Sequence, residues 1–346
     1  MIDPPRSACG APPRGGAPSG PAKPVPRRPL DRLPRRAVHG VLLLDQPLGL
    51  TSNDALQKAK RLYRAEKAGH TGTLDPLATG LLPLCFGVAT KFAQVSLDAD
   101  KAYRATLRLG QRTSTGDVEG EVLQQREVKT DGAAIDAVIA RFTGAIDQLP
   151  PMHSALKHEG RALYDYARAG IEIERAHRRV HIHAIDIIEF AADTLVIDVR
   201  CSKGTYIRTL AEDIGEALGC GAHLSALRRT ASGALRLDQA VTLEQLSAMS
   251  EAERDALLRP ADSLLADWPQ VHLPDDEAGR FLTGLRRRVS LADAPAVRVY
   301  GPVPQTASCA TGSSVDVFLG SDHIVCGELI ADRLLSPAEV AGQLNP

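Results

Sequence analysis

The apolar segments of this chain are short, and their length limits what it can fold into. The densest runs, residues 41–44 and 195–199, have the length of a β-strand. No run approaches the roughly 18 apolar residues that a transmembrane helix needs, so no membrane partner is expected. Amphipathic helical patterns lie between the strands without strict alternation, which favours an α+β fold over a doubly wound parallel sheet. With 346 residues, 44% of them hydrophobic, the chain can bury a large core.

Composition divides the chain into three parts. Residues 1–39 contain ten Pro, four Gly and no aromatic residue, so they cannot bury enough apolar surface to offset the entropy of ordering. We expect a disordered arm of net charge +6, from eight Lys+Arg and two Asp+Glu. Order should begin at Gly40, and residues 40–268 should form the main domain. Residues 272–346 contain three short β-like runs, at 296–300, 314–319 and 324–330. These runs predict a small β-rich domain.

Charge and cysteine usage narrow the class further. The net charge is −1, so residues after 39 carry −7 and do not mark a general nucleic-acid binder. The first residues lack an apolar signal core, and we expect a cytoplasmic protein. The six cysteines form no C-x-x-C pair, which predicts free thiols. His177, His181 and His183 alternate with apolar residues as in a strand, and no metal site is expected there.

The segment 69–91, GHTGTLDPLATGLLPLCFGVATK, has the densest turn signals. Asp75 stands among glycines and leucines, a poor place for a carboxylate unless it has a chemical role or a buried partner. The alternative is that Asp75 N-caps a helix over residues 76–82, since Asp followed by Pro is a common helix start. The residues alone leave both interpretations open.

Other local patterns place the neighbouring elements. Ser52 is predicted to N-cap a helix with apolar residues from 55 to 63 on one face. Strict alternation around Tyr103 predicts a half-buried strand over residues 101–110. A strand at 195–201 should lead through a turn into a helix near 206–218. Helices are also predicted at 133–142 and 160–169.

Five blocks resemble, in order, the TruB family of tRNA pseudouridine synthases, which isomerise the TΨC-loop uridine (tRNA position 55). The resemblance covers most of residues 40–265, and the C-terminal part, residues 272–346, only weakly resembles the family's RNA-binding PUA domain. In one place the chain departs from the pattern: Gln46 stands where the family usually has lysine between Asp45 and Pro47. The blocks are GVLLLDQPLGLTSNDALQKAKR, the segment 69–91, DKAYRATLRLGQRTSTGDVEG, PPMHSALKHEGRALYDYARAG and CSKGTYIRTLAEDIGEALGCGAHLSALRRT.

The resemblance implies a fold and a set of functional residues. The fold is a catalytic domain with a mixed, largely antiparallel sheet, followed by a PUA-like domain. Asp75 matches the essential aspartate, Tyr103 the aromatic that stacks on the target base, and His70 the histidine that enters the RNA. Further matched positions flank the aspartate or the bound nucleotide, and they are Tyr206, Arg208, Lys91 and Leu227.

The implied reaction makes sense of these residue types. Uracil is detached from C1′, rotated and rejoined through C5, which calls for one carboxylate, a sealed apolar pocket and groups that hold the loose base. No metal, redox cofactor or ATP is needed. The enzyme should flip the nucleotide outward and fill the gap, a role that suits His70. Arg208 can pair directly with Asp75 and keep it ionised. Without the resemblance, the sequence favours simpler interpretations: His70 as a loop histidine, Tyr103 as a core residue and Arg208 as a helix-surface residue.

RNA binding requires local positive charge, although most basic runs are merely solvated surfaces. We expect the T arm of tRNA as partner, no obligatory protein partner, and a monomer. Two alternatives stay open: a guide-RNA-dependent synthase of the H/ACA type, and a tRNA-folding chaperone that has lost turnover. The RNA-contact candidates are Lys203, Arg228, Arg229, Lys157, Arg178, Arg179 and residues 286–288.

Overall fold

The computed structural model describes Met1, residues 34–302 and residues 316–342. Most of the predicted arm therefore lies outside the described residues. Its last part packs against the following chain: Arg36 pairs with Asp255 and forms a β-bridge with Ala65, and Val38 is buried. The predicted start of order at Gly40 is therefore wrong by several residues. From Arg35 onward the described residues belong to one compact unit, so the division near residue 270 stays a prediction.

Strands dominate the described part of the chain. In chain order they are β1 Gly40–Gln46, β2 Ala68–His70, β3 Ala78–Phe86, β4 Lys101–Leu109, β5 Gln111–Thr113, β6 Val122–Gln125, β7 Gly144–Gln148, β8 Lys157–His158, β9 Arg161–Ala162, β10 Arg178–Ala191, β11 Thr194–Cys201, β12 Ala222–Ser232, β13 Leu235–Arg236, β14 Gln270–His272, β15 Arg287–Arg288, β16 Ala294–Pro302, β17 Asp316–Val325 and β18 Glu328–Leu334.

The helices are short, and those among the described residues are not long and apolar enough to cross a membrane. In chain order they are α1 Ser52–Leu62, α2 Ala93–Asp98, α3 Gly132–Phe142, α4 Leu163–Arg168, α5 Ile207–Ala217, α6 Leu243–Ala248, α7 Glu251–Asp255, α8 Asp275–Phe281 and α9 Pro337–Gly342. Three 3₁₀ turns accompany them, at Gly87–Lys91, Leu237–Gln239 and Ala261–Leu265.

The main sheet has nine strands and confirms the predicted mixed, largely antiparallel arrangement. Its order is β1-β3-β12-β4-β11-β10-β7, with β2 paired to β3 and β13 paired to β12. The only parallel pair in this described sheet is β12 with β3, where Leu227 faces Ala78 and Arg229 faces Gly80. Because β3 directly follows Asp75, this pairing places the glycine-rich segment beside β12 and β4.

A second sheet of five strands, in the order β14-β16-β17-β18-β15, confirms the β-rich C-terminal part. One apolar cluster joins it to the main sheet, with Phe92 beside the 3₁₀ turn Gly87–Lys91 packing edge-on against Phe318 of β17. A second cluster lies between β4, β11, β12 and helices α3 and α5. A third packs α1 against β1 and β3. The elements that surround Asp75 are thus held by extensive apolar contacts.

Most predicted elements are confirmed, and four need correction. The helix proposed over residues 76–82 is wrong, because that stretch enters β3, and Asp75 therefore caps no helix. Thr51, not Ser52, caps α1 by accepting from the Asp54 backbone N–H. The helix predicted at 160–169 shrinks to Leu163–Arg168, since β9 occupies its start. Residues 324–330 are not one strand, because a turn at Cys326 and Gly327, both at positive φ, separates β17 from β18.

Candidate active site

A cleft of about 490 Å³ opens beside the glycine-rich segment. Its walls include Asp75, His70, Arg208 and Asp117, so three of the predicted site residues meet there. Further walls come from the start of α1, the turn after β5, the segment around Ser154 and helix α4. The cleft is large enough for a nucleotide-sized ligand.

Asp75 sits in a turn that its neighbours hold from both sides. Its carbonyl accepts a hydrogen bond from the Ala78 N–H at 2.9 Å, and the Pro76 carbonyl accepts one from Gly49 at 2.8 Å. Leu74 and Leu77 on either side are buried, whereas the Asp75 side chain is 43% exposed. The backbone is therefore anchored while the carboxylate faces the cleft.

Arg208 reaches the carboxylate from the start of α5. Its guanidinium is 6% exposed, and Nη2 lies 2.9 Å from Asp75 Oδ2, which confirms the predicted direct pairing. Nη2 also donates to the His153 carbonyl at 2.6 Å, and Nη1 to that of Thr115 at 3.3 Å. The interpretation of Arg208 as a helix-surface residue is wrong. Buried and held by the His153 and Thr115 carbonyls, the guanidinium keeps the carboxylate in a close ion pair.

Asp117 is a site residue that the sequence reasoning missed. It is 3% exposed, and its Oδ2 lies 3.5 Å from Arg208 Nη1. Its Oδ1 accepts from the Thr115 hydroxyl at 2.5 Å and from the Glu119 N–H at 3.1 Å. The Ser-Thr-Gly-Asp turn after β5 was a visible signal, but nothing in its spacing connects it with Arg208, some ninety positions away. Arg208 is thus shared by two aspartates.

Tyr103 lies in β4, directly opposite Arg229 of β12. It is partly buried and packs against the apolar cluster beside Leu227. Burial raises the pKa of the Tyr103 phenol, while the nearby Arg229 guanidinium opposes the rise. Tyr103 does not line the cleft, although the charge of Asp75 is close enough to raise the pKa of its phenol. Its roles in stacking and proton transfer stay predictions.

Tyr206 immediately precedes α5, and Gln148 fixes its backbone. The Gln148 side chain accepts from the Tyr206 N–H at 3.0 Å and donates to the Tyr206 carbonyl at 3.3 Å. Burial raises the pKa of the Tyr206 phenol. The positions of Tyr206 and Arg208, two residues apart, are therefore set together by a buried amide at the end of β7.

His70 ends β2 and borders the cleft, as the predicted gap-filling role requires. Its Nδ1 is buried and has no hydrogen-bond partner in the described part of the chain. Burial, followed by the nearby charge of Arg229, lowers the pKa of His70 below its ordinary 6.5. The imidazole is thus favoured in its neutral form, which suits stacking better than a charged ring.

Gln46, which replaces the family's lysine, is fully buried. Its Nε2 donates to the Leu50 carbonyl at 2.8 Å, and its Oε1 accepts from the Ser52 hydroxyl at 3.0 Å. Ser52 Oγ in turn accepts from the Leu74 N–H at 2.8 Å. A chain of hydrogen bonds therefore runs from Gln46 to the residue before Asp75. In this protein the position supports the loop through an uncharged amide.

Two further predicted residues have different surroundings. Leu227 faces Ala78 of β3 and Ala105 of β4, within reach of the Asp75 segment. Lys91 does not join the site, because its Nζ pairs with Glu339 Oε2 at 2.6 Å and donates to the Leu334 carbonyl at 3.1 Å. Its predicted place beside the nucleotide is wrong, and it instead links the 3₁₀ turn to the C-terminal part.

The basic candidates for RNA contact differ in exposure. Arg229 is 1% exposed, so its prediction as a phosphate contact is wrong. Arg228 is partly exposed and pairs with Asp45, and Lys203 is exposed and pairs with Asp98. The others lie at the surface, apart from the partly buried Arg287, and they are Lys157, Arg178, Arg179, Arg286 and Arg288. Their contacts with RNA stay predictions.

The fold matches solved structures of a known type. A chain of the archaeal box H/ACA sRNP Nop10-Cbf5 complex aligns with a TM-score of 0.63 and 24% identity, over 87% of this chain and 86% of that one. A Cbf5-Nop10-Gar1 complex gives a TM-score of 0.65 and 23% identity, over 87% of each chain. At this identity the likeness establishes the shared fold alone.

Sequence comparison establishes the family. Residues 60–207 match the model of the TruB family pseudouridylate synthase N-terminal domain, and residues 208–266 match that of the tRNA pseudouridylate synthase B C-terminal domain. The chain belongs to the TruB family of pseudouridylate synthases. It is 63% identical to the tRNA pseudouridine synthase B of Cupriavidus pinatubonensis, over 78% of this chain and 89% of the relative. The protein of that name from Verminephrobacter eiseniae is 59% identical, over 89% and 92%.

Proposed function

We propose that the protein isomerises the TΨC-loop uridine of tRNA to pseudouridine. The observation that carries the proposal is the Asp75–Arg208 pair at 2.9 Å in an open cleft, within a chain of the TruB family. Relatives at about 60% identity bear the name tRNA pseudouridine synthase B, which supports tRNA as the substrate.

The contacts of Asp75 suit it to a step at the sugar or at the base. Its backbone is anchored and one carboxylate oxygen is held by Arg208, which leaves the other oxygen to attack carbon or to accept a proton. In the overall isomerisation the N1–C1′ bond breaks and a C5–C1′ bond forms. The hydrogen lost from C5 is balanced by the one gained at N1, so no external reactant is consumed.

The surrounding residues can control the nucleotide during this exchange. His70, neutral at the mouth of the cleft, can occupy the gap left by a flipped base. Tyr103 can stack on the loose uracil, and Leu227 adds an apolar wall. Lys203 and Arg228, which pair with Asp98 and Asp45, are the proposed contacts to RNA phosphates. The C-terminal five-stranded sheet acts as a PUA-like RNA-binding domain in this proposal.

A guide-RNA-dependent synthase is the second candidate, because two solved structures with the same fold are those of an archaeal box H/ACA sRNP complex and of an H/ACA RNP bound to a substrate RNA. The family models and the relatives at about 60% identity favour direct recognition of tRNA instead. We therefore propose a cytoplasmic monomer that acts without guide RNA or obligatory protein partner.

The test uses the purified protein alone with tRNA whose uridines carry tritium at C5. Isomerisation releases the tritium, and tRNA with cytidine in place of the TΨC-loop uridine is the matched control. We expect release from the tRNA and from an isolated T-stem-loop, because single-stranded loops of defined shape are the usual targets of RNA recognition. Release only after addition of guide RNA would favour the second candidate, and binding without release would indicate a chaperone.

A further inference from the structure

Arg229 is among the largest fully buried side chains described, at 1% exposure. It stands on β12 between β3 and β4, opposite Gly80 on one side and Tyr103 on the other. This is the point of the main sheet where the strand following Asp75 runs beside the strand that carries Tyr103. A charged side chain at the centre of a sheet needs a specific reason, since burial of a charge is costly.

The guanidinium bonds both ends of the segment that carries Asp75. Its Nε donates to the Leu81 carbonyl at 2.7 Å, and its Nη2 donates to the Gly72 carbonyl at 3.0 Å. Gly80, at φ +102°, allows the close approach, because a Cβ there would lie 2.4 Å from the Arg229 carbonyl oxygen. Arg229 therefore ties residues 72 and 81 to one rigid group, with Asp75 on the loop between them.

The same guanidinium has no carboxylate partner among the described residues, unlike Arg208 with its two aspartates. Across the β12–β4 pair it lies opposite Tyr103, and its charge opposes the rise in the pKa of that phenol. The uncompensated charge also reaches its neighbours: burial, and then Arg229, lower the pKa of Lys101 to about 8.

We propose that Arg229 is a positioning residue of the active site, which holds the Asp75 loop at both ends and sets it beside Tyr103 on the neighbouring strand. This rests on the proposed function, since it assigns Arg229 a share in the turnover step and none in RNA contact. Without the hydrogen bonds of Arg229, Asp75 and Tyr103 can shift relative to each other. Small displacements of reacting groups lower the rate strongly.

The first test is Arg229→Lys, which keeps the charge but cannot bond the Leu81 and Gly72 carbonyls in the same fork geometry. With saturating tRNA we expect the single-turnover rate to fall by about ten- to a hundredfold, with KM nearly unchanged. The matched control is Arg36→Lys, at a partly buried arginine that pairs with Asp255 and lies outside both the cleft and the five-stranded sheet. That control should retain the wild-type rate, so a general penalty for a partly buried Arg-to-Lys change is measured separately.

A double-mutant cycle with Tyr103→Phe separates positioning from mere structural support. If Arg229 acts through the phenol, Arg229→Lys should cost much less rate in the Tyr103→Phe background than in the wild type. Additive losses, or an unchanged rate for Arg229→Lys, would overturn the proposal. Thermal unfolding is measured for each variant to check that it folds. If Arg229→Lys does not fold, Arg229→Gln is used instead. If neither folds, the role is structural and the proposal is wrong, whereas an inactive wild type would overturn the proposed function itself.

Discussion

Arg208 Nη2 lies 2.9 Å from the half-exposed Asp75 carboxylate while its own side chain is almost fully buried. Arg208 is thus held rigidly, whereas Asp75 faces the cleft. Asp117 pairs with the other nitrogen of the guanidinium, so two carboxylates share the charge of Arg208. The arrangement keeps the Asp75 carboxylate oriented without enclosing it.

Replacing Tyr103 separates stacking from proton transfer. Tyr103→Phe keeps the aromatic face but loses the hydroxyl near Arg229, so we expect turnover to fall by about a hundredfold or more, the usual worth of acid–base assistance. Tyr103→Leu also loses the stacking surface, worth roughly 1–3 kcal/mol. Tyr63→Phe, which removes the hydroxyl of a buried tyrosine away from the cleft, is the control. Near-normal single-turnover rates for Tyr103→Phe would leave stacking as the only role.

The buried amide of Gln46 should matter for both stability and turnover. Gln46→Leu removes the acceptor of Ser52 and the donor to Leu50, which should lower the free energy of unfolding by about 1–3 kcal/mol. Because Ser52 holds Leu74, the rate should fall as well. Urea unfolding and tritium release measure the two effects. Gln125→Leu, at an exposed position of β6, is the control, and equal behaviour of the two variants would dismiss the Gln46 network.

The residues of the site show which parts of the structure the sequence can predict. The strand around Tyr103, helix α5 and the pairing of Arg208 with Asp75 followed from periodicity and from family motifs, because they depend on local pattern or on matched positions. Arg229 and Asp117 did not, since burial depends on which strands become neighbours. Lys91 was misplaced for the same reason: its partner Glu339 is nearly 250 positions away. Asp75 precedes a strand, not a helix, because β1 and β12 flank that segment and tertiary pairing overrides the Asp-Pro signal.

A buried carboxyl in β17 predicts a pH effect on stability. Burial raises the pKa of Asp322 from 3.8 to about 8, and its Oδ2 has no partner among the described residues. The native state therefore binds the proton more tightly than the unfolded chain, and stability falls as the pH rises through this interval. Asp322→Asn cannot ionise and should be more stable than the wild type by about 1–4 kcal/mol near neutral pH.

Urea unfolding at low and high pH checks this. The advantage of Asp322→Asn should be small near about pH 5 and larger near about pH 8. Asp293→Asn, at an exposed position before β16, should show no such difference. An advantage for Asp322→Asn that does not change with pH would mean that Asp322 is not protonated in the native state near neutrality.

Two truncations test where the packed structure begins. Removal of residues 1–33 should leave the free energy of unfolding unchanged, because this Pro-rich segment lacks aromatic residues. Removal of residues 1–39 also deletes buried Val38 and the pairing of Arg36 with Asp255, and should cost about 1.5–3 kcal/mol from the burial of Val38 alone. Equal stability of the two truncated proteins would show that residues 34–39 contribute nothing.

The most direct test of the account is Asp75→Asn, assayed for tritium release from tRNA labelled at C5 of uridine. Asn is nearly isosteric with Asp and keeps a polar oxygen beside Arg208, but it is neither nucleophilic nor basic. We expect a folded protein that binds tRNA as the wild type does and releases no detectable tritium. Measurable release by Asp75→Asn would remove Asp75 from the mechanism and contradict the assignment of the active site.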